Sequence, residues 1–158
     1  MRLDKLNYYL NIADSIAVRS TCLRRTYGAI IVSNDEIIAT GYNGAPRERK
    51  NCSDLGRCLR DELNIPQGER YELCRSVHAE TNAIISASRN AMMGATLYLV
   101  GRLASSGELL DAAPCSMCRR VIINAGIERV VCRQADGSYK VMNRREMVYD
   151  DDTISNSL

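Results

Sequence analysis

The sequence predicts an α/β fold, a sandwich of helices around a mixed β-sheet. An amphipathic helical pattern opens the chain, two β-branched runs at hairpin spacing follow it, and later apolar runs alternate with helical patterns. A chain of 158 residues can bury one core of ordinary size. We therefore expect one domain over residues 1–149, with a cysteine-containing loop at about 45–76 and an acidic, polar tail at 150–158.

The first half of the chain predicts a helix and a hairpin. Apolar residues recur at helical spacing over 4–19, and Asp4 stands where a carboxylate suits a helix N-terminus. The runs 27–32 and 37–41, joined by the polar turn 33–36, predict a β-hairpin. The polar stretch that follows is long for a loop inside a compact domain, so we expect it to be functional or tied down.

The second half predicts helices and strands in alternation. The patterns run in this order: a helix at 77–91, a strand at 94–101, a helix at 114–125, a strand at 127–132 and a short strand at 139–142. Gly126 stands at the position where a left-handed residue ends a helix. Residues 102–113 are expected to form an irregular insertion near the mouth of any pocket that the next helix start borders.

Composition and charge exclude several classes of protein. Apolar residues make up 46% of the chain and charged residues 25%, which excludes wholesale disorder. The net charge of +2 is too small for a protein that binds a large nucleic acid by electrostatics alone. No apolar run reaches the length of a membrane span and no signal-peptide pattern opens the chain, so we expect a cytoplasmic protein without a membrane partner.

Two short segments, each at a predicted helix start, offer metal ligands. Cys115 and Cys118 are three residues apart, so at a helix N-terminus both sulfurs can face one point, where the helix dipole favours thiolate. His78, the only histidine, comes from the start of the other helix. Three protein ligands leave a zinc ion one position for water, which is the arrangement of a catalytic zinc.

Glu80 supplies a carboxylate two residues from His78. Beside a zinc-activated water it can collect the water's proton and pass it on, so we interpret it as a general acid/base and not as a ligand. A lone C-x-x-C pair is often a redox pair or half of a structural zinc site. The combination H-x-E followed by P-C-x-x-C is more specific, because it matches the signature of zinc deaminases.

The sequence resembles the cytidine-deaminase superfamily, and within it the deoxycytidylate (dCMP) deaminases, over about residues 6–132. The segments that carry the resemblance are Arg24-Arg25, GAIIV at 28–32, GYNG at 41–44, Asn51-Cys52, VHAETNA at 77–83, ATLY at 95–98, PCSMC at 114–118 and IINAGI at 122–127. The GYNG and IINAGI segments favour the dCMP branch.

The resemblance implies a three-layer α/β/α sandwich with a mixed five-stranded sheet, and hydrolysis of dCMP to dUMP and ammonia. It implies a catalytic zinc on the two cysteines and the histidine, with Glu80 moving protons. Asn43 would hydrogen-bond the sugar, and the backbone around Ala79 would contact the edge of the base. Relatives in this branch are commonly hexamers that dCTP activates and dTTP inhibits. We therefore expect a homo-oligomer, hexamer or dimer, and Mg²⁺ with a nucleotide triphosphate effector.

The remaining cysteines suggest a second metal. Some dCMP deaminases have a structural zinc whose ligands resemble Cys22 and Cys52, and Cys58 and Cys74 replace the histidines of such relatives. Four thiols around one loop suit a closed tetrahedral site, and the alternative is free thiols in a mobile loop. Cys132 ends an apolar run and is expected to be a core residue.

The chain departs from these relatives around the predicted pocket. Ala113 stands before Pro114 where relatives have an aromatic residue, and the chain has no Phe or Trp. Base stacking must then come from a tyrosine, either Tyr42 or one across a subunit interface. Arginine suits the phosphate because its fork matches two phosphate oxygens. The arginines that flank the hairpin and the GYNG turn are Arg24, Arg25, Arg47 and Arg49.

Three alternatives to a dCMP deaminase remain. The chain could deaminate another cytosine-type or purine-type nucleoside or nucleotide. It could be a non-catalytic, zinc-stabilised regulator that binds nucleotides, although such a module needs no carboxylate at Glu80. A Cys₄ zinc finger is compatible with the cysteine count, but the α/β pattern argues against it.

Overall fold

The chain folds around a five-stranded mixed sheet in the computed structural model, which describes residues 1–150. The strands are β1 (Arg25–Ser33), β2 (Glu36–Tyr42), β3 (Thr96–Leu103), β4 (Arg129–Arg133) and β5 (Tyr139–Asn143), in the order β2-β1-β3-β4-β5. β3 and β4 are parallel and the other neighbours are antiparallel. The predicted fold class is therefore confirmed. Of the predicted tail, residues 151–158 lie outside the described part of the chain.

Helices and short helical turns surround the sheet. They are α1 (Lys5–Ala17), α2 (Cys52–Leu55), α3 (Leu59–Glu62), α4 (Ala79–Ile85), α5 (Arg89–Met92), α6 (Ser116–Ala125), α7 (Arg144–Tyr149) and a 3₁₀ turn at Tyr71–Leu73. Within residues 1–150, no helix combines the length and the apolar character that crossing a bilayer requires.

The core lies in two layers, one on each face of the sheet. Alternation along β1 sends Ile30 and Val32 towards α1, where they pack with Leu10, and sends Ala29 and Ile31 to the opposite face. The opposite layer contains the buried residues of α4 and α6. Both faces of the sheet are thus covered, as the continuous apolar runs of the hairpin predict.

The hairpin turn is shorter than predicted. β1 runs through Ser33 and β2 begins at Glu36, so only Asn34 and Asp35 connect them, with φ angles of 52° and 61°. Asn and Asp tolerate this left-handed conformation, and a two-residue turn of this kind matches the twist of the strands. The Asp35 carboxylate accepts a hydrogen bond from the Tyr9 hydroxyl at 2.5 Å, which ties the turn to α1.

The segment predicted as one helix over 77–91 is two helices. α4 ends at Ile85, and Ser88 begins α5 by accepting a hydrogen bond from the Ala91 N–H at 3.2 Å. A serine at this position caps a new helix. The apolar periodicity continues across the break, so the sequence pattern did not reveal that the helix is interrupted. Gly126 ends α6 with a φ of 80°, as predicted.

The predicted insertion 102–113 is partly ordered by pairing. β3 continues to Leu103, and the chain then turns back on it: the Leu103 N–H donates to the Glu108 carbonyl and the Leu110 N–H to the Gly101 carbonyl, both at 2.9 Å.

α7 was not predicted. Its signal was an Asn143 capping box with Glu146 at the third helical position.

Residues 45–76 form a loop with closely spaced ends, which we call the cysteine loop. Gly44 and Val77, just outside it, pair through two backbone hydrogen bonds of 3.2 and 2.7 Å. Its only regular structure is α2, α3 and the 3₁₀ turn. Because Val77 immediately precedes His78, this pairing ties the loop to the start of α4.

Candidate functional site

The three predicted metal ligands lie together. His78 Nδ1 is 3.6 Å from Cys115 Sγ and 3.4 Å from Cys118 Sγ. Bonds of about 2.0–2.1 Å to nitrogen and about 2.3 Å to sulfur at a tetrahedral angle place N and S roughly 3.5 Å apart, so these side chains fit a zinc ion. The ligand atoms of these three residues all lie within 4.8 Å of one another, and within residues 1–150 no other group of at least three His, Cys, Asp or Glu side chains could hold a metal ion in this way.

Two helix starts on one face of the sheet build this group. His78 is the N-cap residue of α4, and Cys115 is the N-cap residue of α6, where its sulfur accepts a hydrogen bond from the Cys118 N–H at 3.5 Å. α4 can approach β2 because of Gly41, where a Cβ atom would lie 2.3 Å from the Ala79 carbonyl oxygen. The sheet therefore fixes the position from which His78 extends.

Hydrogen bonds among the ligands set their charges. The hydrogen bond from Cys118 is the main cause that lowers the pKa of Cys115 to about 4, and the same bond, with burial, raises the pKa of Cys118. Burial lowers the pKa of His78, but hydrogen bonds with Cys115 and Cys74 and the charge of Glu80 outweigh burial and bring it to about 10. The group thus holds protons in a space where a divalent cation could replace them.

Glu80 lies beside this group in the first turn of α4. Its side chain is buried, with 5% exposed, and burial raises the pKa of its carboxyl. Its own backbone N–H and the charge on His78 oppose that increase. Raising the pKa of this carboxyl makes its protonated form easier to reach, and general acid/base catalysis needs a group that can both accept and release a proton.

A cavity of about 410 Å³ opens onto these residues, a volume that suits a small molecule. Its lining includes predicted site residues, namely Cys22, Arg24, Arg25, Asn43, Cys74, His78, Ala79, Glu80 and Cys115. It also includes residues that the sequence analysis did not single out as ligand contacts, namely Tyr27, Arg60, Gln67, Gly68, Tyr71, Ser76 and Ala113. The cavity therefore brings the candidate metal centre and the cysteine loop together.

Asn43 is held by the strands around it. Its Oδ1 accepts from the Tyr27 N–H at 2.8 Å and the Ser20 hydroxyl at 2.5 Å, and its Nδ2 donates to the Arg25 carbonyl at 2.9 Å. These bonds use both lone pairs of the oxygen and one amide hydrogen. A single amide hydrogen is left for a ligand in the cavity.

Two of the predicted arginines line the cavity and two do not. Arg24 Nε lies 3.0 Å from Asp61 Oδ1, and Arg25 Nη2 donates to Gln67 Oε1 at 2.6 Å. Arg47 and Arg49 are absent from the lining. Both are exposed, so their role as phosphate contacts stays a prediction that this cavity does not support.

Tyr42 is also absent from the lining. Successive side chains of a strand point to opposite faces, so Asn43 faces the cavity and Tyr42 does not. Base stacking on Tyr42 is thus a prediction that the structure does not support. The tyrosines that do line the cavity are Tyr27, near the start of β1, and Tyr71, in the cysteine loop. Tyr71 lies in a polar segment without periodicity, so nothing in the pattern indicates it.

The four cysteines predicted to hold a second zinc do not form a compact group of donors within residues 1–150. Burial is the main cause that raises the pKa of Cys52, with contributions from Cys22, Cys58 and Cys74, so the four thiols do share a neighbourhood. Cys74 hydrogen-bonds His78. The second zinc site stays a prediction. Cys132, with 1% exposed, is a core residue as predicted.

Comparisons with known proteins agree with this geometry. The family model of the cytidine and deoxycytidylate deaminase zinc-binding region matches residues 3–134. A deoxycytidylate deaminase of Mycobacterium phage D29 is 37% identical over 134 residues, which are 82% of this chain and 94% of the relative. The deoxycytidylate deaminase of Saccharomyces cerevisiae is 36% identical over 86% of this chain, and this chain spans only 41% of it.

Solved structures share the fold. The dCMP deaminase of cyanophage S-TIM5 in complex with dCMP and dUMP matches with a TM-score of 0.58 and 25% identity, over 85% of this chain and 84% of that one. A cytidine deaminase of Burkholderia pseudomallei matches with a TM-score of 0.60 over 94% of this chain and 98% of that one. At 19% identity, the second match supports the fold alone.

Proposed function

Since the chain belongs to the cytidine and deoxycytidylate deaminase family, we propose that it is a zinc-dependent hydrolase that converts dCMP to dUMP and ammonia. The observation that carries this proposal is the compact group of His78, Cys115 and Cys118 beside the buried Glu80. His78, Cys115 and Glu80 also line the cavity. Relatives named deoxycytidylate deaminase, and a structure of one with dCMP and dUMP, support the choice of substrate.

The ligands in this proposal are His78 Nδ1 and the sulfurs of Cys115 and Cys118. These three side chains would hold a zinc ion and would leave it able to bind a water molecule. When bound there, zinc would lower the pKa of a water molecule to about 7 and so supply a nucleophile at neutral pH. Cys118 is fully buried, whereas His78, Glu80 and Cys115 line the cavity, so a substrate would approach these ligands from the cavity.

Glu80 moves the protons of the reaction. Its carboxylate takes a proton from the attacking water, gives it to the ring nitrogen N3 of cytosine, and later transfers the second proton to the departing amino group. Water and cytosine thereby become uracil and ammonia, with no other reactant. Burial of Glu80 favours its protonated form and makes the transfer to substrate easier. The backbone around Ala79, next to it, contacts the edge of the base.

Arg25 is the phosphate contact that the structure favours. Arg24 is paired with Asp61, whereas Arg25 donates to the neutral oxygen of Gln67, which a phosphate could replace with a charged acceptor. The remaining amide hydrogen of Asn43 would donate to the sugar. We expect Arg25→Gln to raise KM for dCMP and to leave KM for deoxycytidine nearly unchanged.

A structural zinc on Cys22, Cys52, Cys58 and Cys74 is a further part of the proposal. The shared neighbourhood of the four thiols supports it, and binding would require the Cys74 side chain to turn away from His78. A zinc-to-protein ratio near two is expected by atomic absorption. A ratio near one would reject the second site.

We also propose that the protein is cytoplasmic and assembles as a homo-oligomer, hexamer or dimer. By resemblance to dCMP deaminases, dCTP with Mg²⁺ would activate it and dTTP would inhibit it. Light scattering with and without each nucleotide tests the assembly, and initial rates under the same conditions test the effectors. A monomer with rates that neither nucleotide changes would reject this part.

The experiment that tests the proposed function is a panel of substrates for the wild-type enzyme. Ammonia release is measured with dCMP, CMP, deoxycytidine and dAMP, with and without dCTP. We expect the highest kcat/KM for dCMP. Faster deamination of another member would assign a different substrate. Nucleotide binding without ammonia release from any member would support a non-catalytic regulator.

A further inference from the structure

Tyr71 borders the candidate metal centre from the cysteine loop. Its ring centroid lies 4.8 Å from that of His78, and the two planes meet at 84°. Its neighbours also include Cys115, whose charge adds to burial in raising the pKa of the Tyr71 hydroxyl. A flat ring bound with its reacting carbon at the metal centre must therefore lie next to Tyr71.

The other aromatic side chain in the lining, Tyr27, is less available. Its ring packs directly on Gly101, where a Cβ atom would lie 2.4 Å from a ring carbon. Tyr27 also hydrogen-bonds the Arg25 side chain. β3 thus holds Tyr27 on the sheet, whereas Tyr71 belongs to the cysteine loop and its ring contacts His78.

Arg60 holds the Tyr71 ring in place. Its guanidinium lies 4.6 Å from the ring centroid, within the range of a cation–π contact. Arg60 is 6% exposed and donates to the Glu69 carbonyl, at 3.2 Å through Nε and 2.9 Å through Nη2, and to the Pro66 carbonyl at 2.9 Å. A buried arginine bonded to carbonyls in this way fixes the shape of the loop.

The backbone before Tyr71 agrees with this role. Arg70 has a φ of 52°, a left-handed conformation that is unfavourable for a residue with a side chain. The backbone of Gly68 also hydrogen-bonds the Tyr71 hydroxyl. The loop therefore has a left-handed residue immediately before Tyr71, and it contacts the ring through Arg60 and the hydroxyl through Gly68.

We propose that Tyr71 is the aromatic wall that packs against the face of the substrate base, and that Arg60 is its positioning residue; this inference rests on the proposed function. Aromatic rings stack on any flat base, and one such contact adds to the affinity for a nucleotide. The chain has no Phe or Trp, and Ala113 leaves the position before Pro114 without a ring. Tyr71 supplies that surface from another part of the sequence.

Substitution of Tyr71 tests this inference. Tyr71→Leu keeps an apolar side chain without the ring, and Tyr71→Phe keeps the ring without the hydroxyl. We expect Tyr71→Leu to raise the Kd of dUMP and the KM of dCMP by about 5- to 150-fold, the range that base–aromatic stacking gives. Because the wall contacts substrate and transition state alike, kcat should change much less than KM. Tyr71→Phe should stay within about threefold, since the ring that stacks on the base is retained.

The matched control is Tyr149→Leu. Tyr149 also lies under an arginine, with the Arg145 guanidinium 5.6 Å from its ring centroid, but it is 75% exposed on α7 and does not line the cavity. Its substitution should leave both constants unchanged. Calorimetric titration with dUMP measures binding, and zinc content and thermal unfolding are measured on every variant.

Two results would overturn the inference. In the first, Tyr71→Leu keeps its zinc and binds dUMP within twofold of the wild type. In the second, it loses zinc, which would make Tyr71 a support for His78.

If Tyr71→Leu does not fold, Arg60→Met decides: a rise in KM larger than the fall in kcat supports the inference, and unchanged constants reject it. If the wild-type enzyme prefers another nucleotide, the proposed function fails, and titration with that nucleotide's product decides the role of Tyr71 separately.

Discussion

The candidate metal centre and the cysteine loop border the same cavity, but different forces hold them in place. His78, Cys115 and Cys118 stand at the starts of α4 and α6, whose buried residues belong to the main core of the sheet. Within the cysteine loop, only Cys52 and Arg60 are buried. The metal centre is therefore held by packing, and the loop by hydrogen bonds, ion pairs and the Gly44–Val77 pairing at its ends.

The two regions meet different requirements: rigid placement of metal ligands and adaptable contact with a substrate. A metal centre needs its ligands held within a few tenths of an ångström, which short stretches on a packed sheet provide. A wall that contacts the substrate can belong to a region with little buried apolar surface, where local opening costs less free energy. The same cavity thus combines a rigid reactive end with a more adaptable binding end.

The largest effect should come from removing a ligand of the metal centre. We expect His78→Ala to lose one zinc per chain and all measurable deamination, because two thiolates alone leave the site incomplete. Cys58→Ser is the matched change in the loop and should keep the catalytic zinc and measurable turnover. Zinc analysis and ammonia release check both. If Cys58→Ser abolished turnover as completely as His78→Ala, the two regions would not be separable.

Gly41→Ala, which adds a methyl group where β2 contacts α4, should have the next largest effect, a loss of stability. At Gly41 the new Cβ would lie 2.3 Å from the Ala79 carbonyl oxygen and 2.4 Å from the Ala83 nitrogen, so the helix that carries His78 must move. We expect Gly41→Ala to lower the free energy of unfolding by about 3 kcal/mol. In the loop, Gly56 has a φ of 67° and open space around it, so Gly56→Ala should cost only about 1 kcal/mol. Urea unfolding measures both, and equal losses would contradict the packing difference.

The smallest effect concerns the ion pairs of the loop at low pH. Arg57 donates two hydrogen bonds of 2.7 Å to Glu62, and this contact lowers the pKa of the Glu62 carboxyl below its ordinary value of 4.5. The folded loop thus binds fewer protons than the unfolded one, so the stabilisation is complete above pH 4.5 and is lost as pH falls through the lowered pKa.

Limited proteolysis between α3 and the 3₁₀ turn measures this loss. Cleavage should increase as the pH falls below about 4.5, and Glu62→Gln should show more cleavage than the wild type at neutral pH and a smaller increase on acidification, because Glu72 still pairs with Arg70. The same difference between the two proteins at every pH would show that the ion pair does not stabilise the loop.

Sequence reasoning predicts the packed region well because its signals are local. The spacing of Cys115 and Cys118 at a helix start determines which way their sulfurs face, and the apolar runs place the strands that support them. Turn length and helix breaks were less well predicted. Asn34-Asp35 forms a tighter turn than its polar neighbours indicate, and Ser88 begins a new helix inside a continuous helical pattern.

The loop was predicted poorly because its structure depends on contacts between distant residues. Nothing in the spacing of Arg60 and Tyr71 indicates that one covers the other, and the Gly44–Val77 pairing is a long-range contact. Tyr42 was predicted because base stacking needs an aromatic ring and the chain has no Phe or Trp, but it is absent from the cavity lining. Residue type alone is therefore a weaker guide than chemistry combined with spacing.

The most direct test of the account is the zinc content and turnover of Glu80→Gln, measured on the same sample. Gln cannot carry a proton from water to substrate but fills almost the same volume in the buried site. The account predicts wild-type zinc content, wild-type binding of dUMP, and a fall in kcat of about 10²- to 10⁴-fold. Near-normal deamination by Glu80→Gln with zinc retained would contradict the assignment of Glu80 as the group that moves the proton.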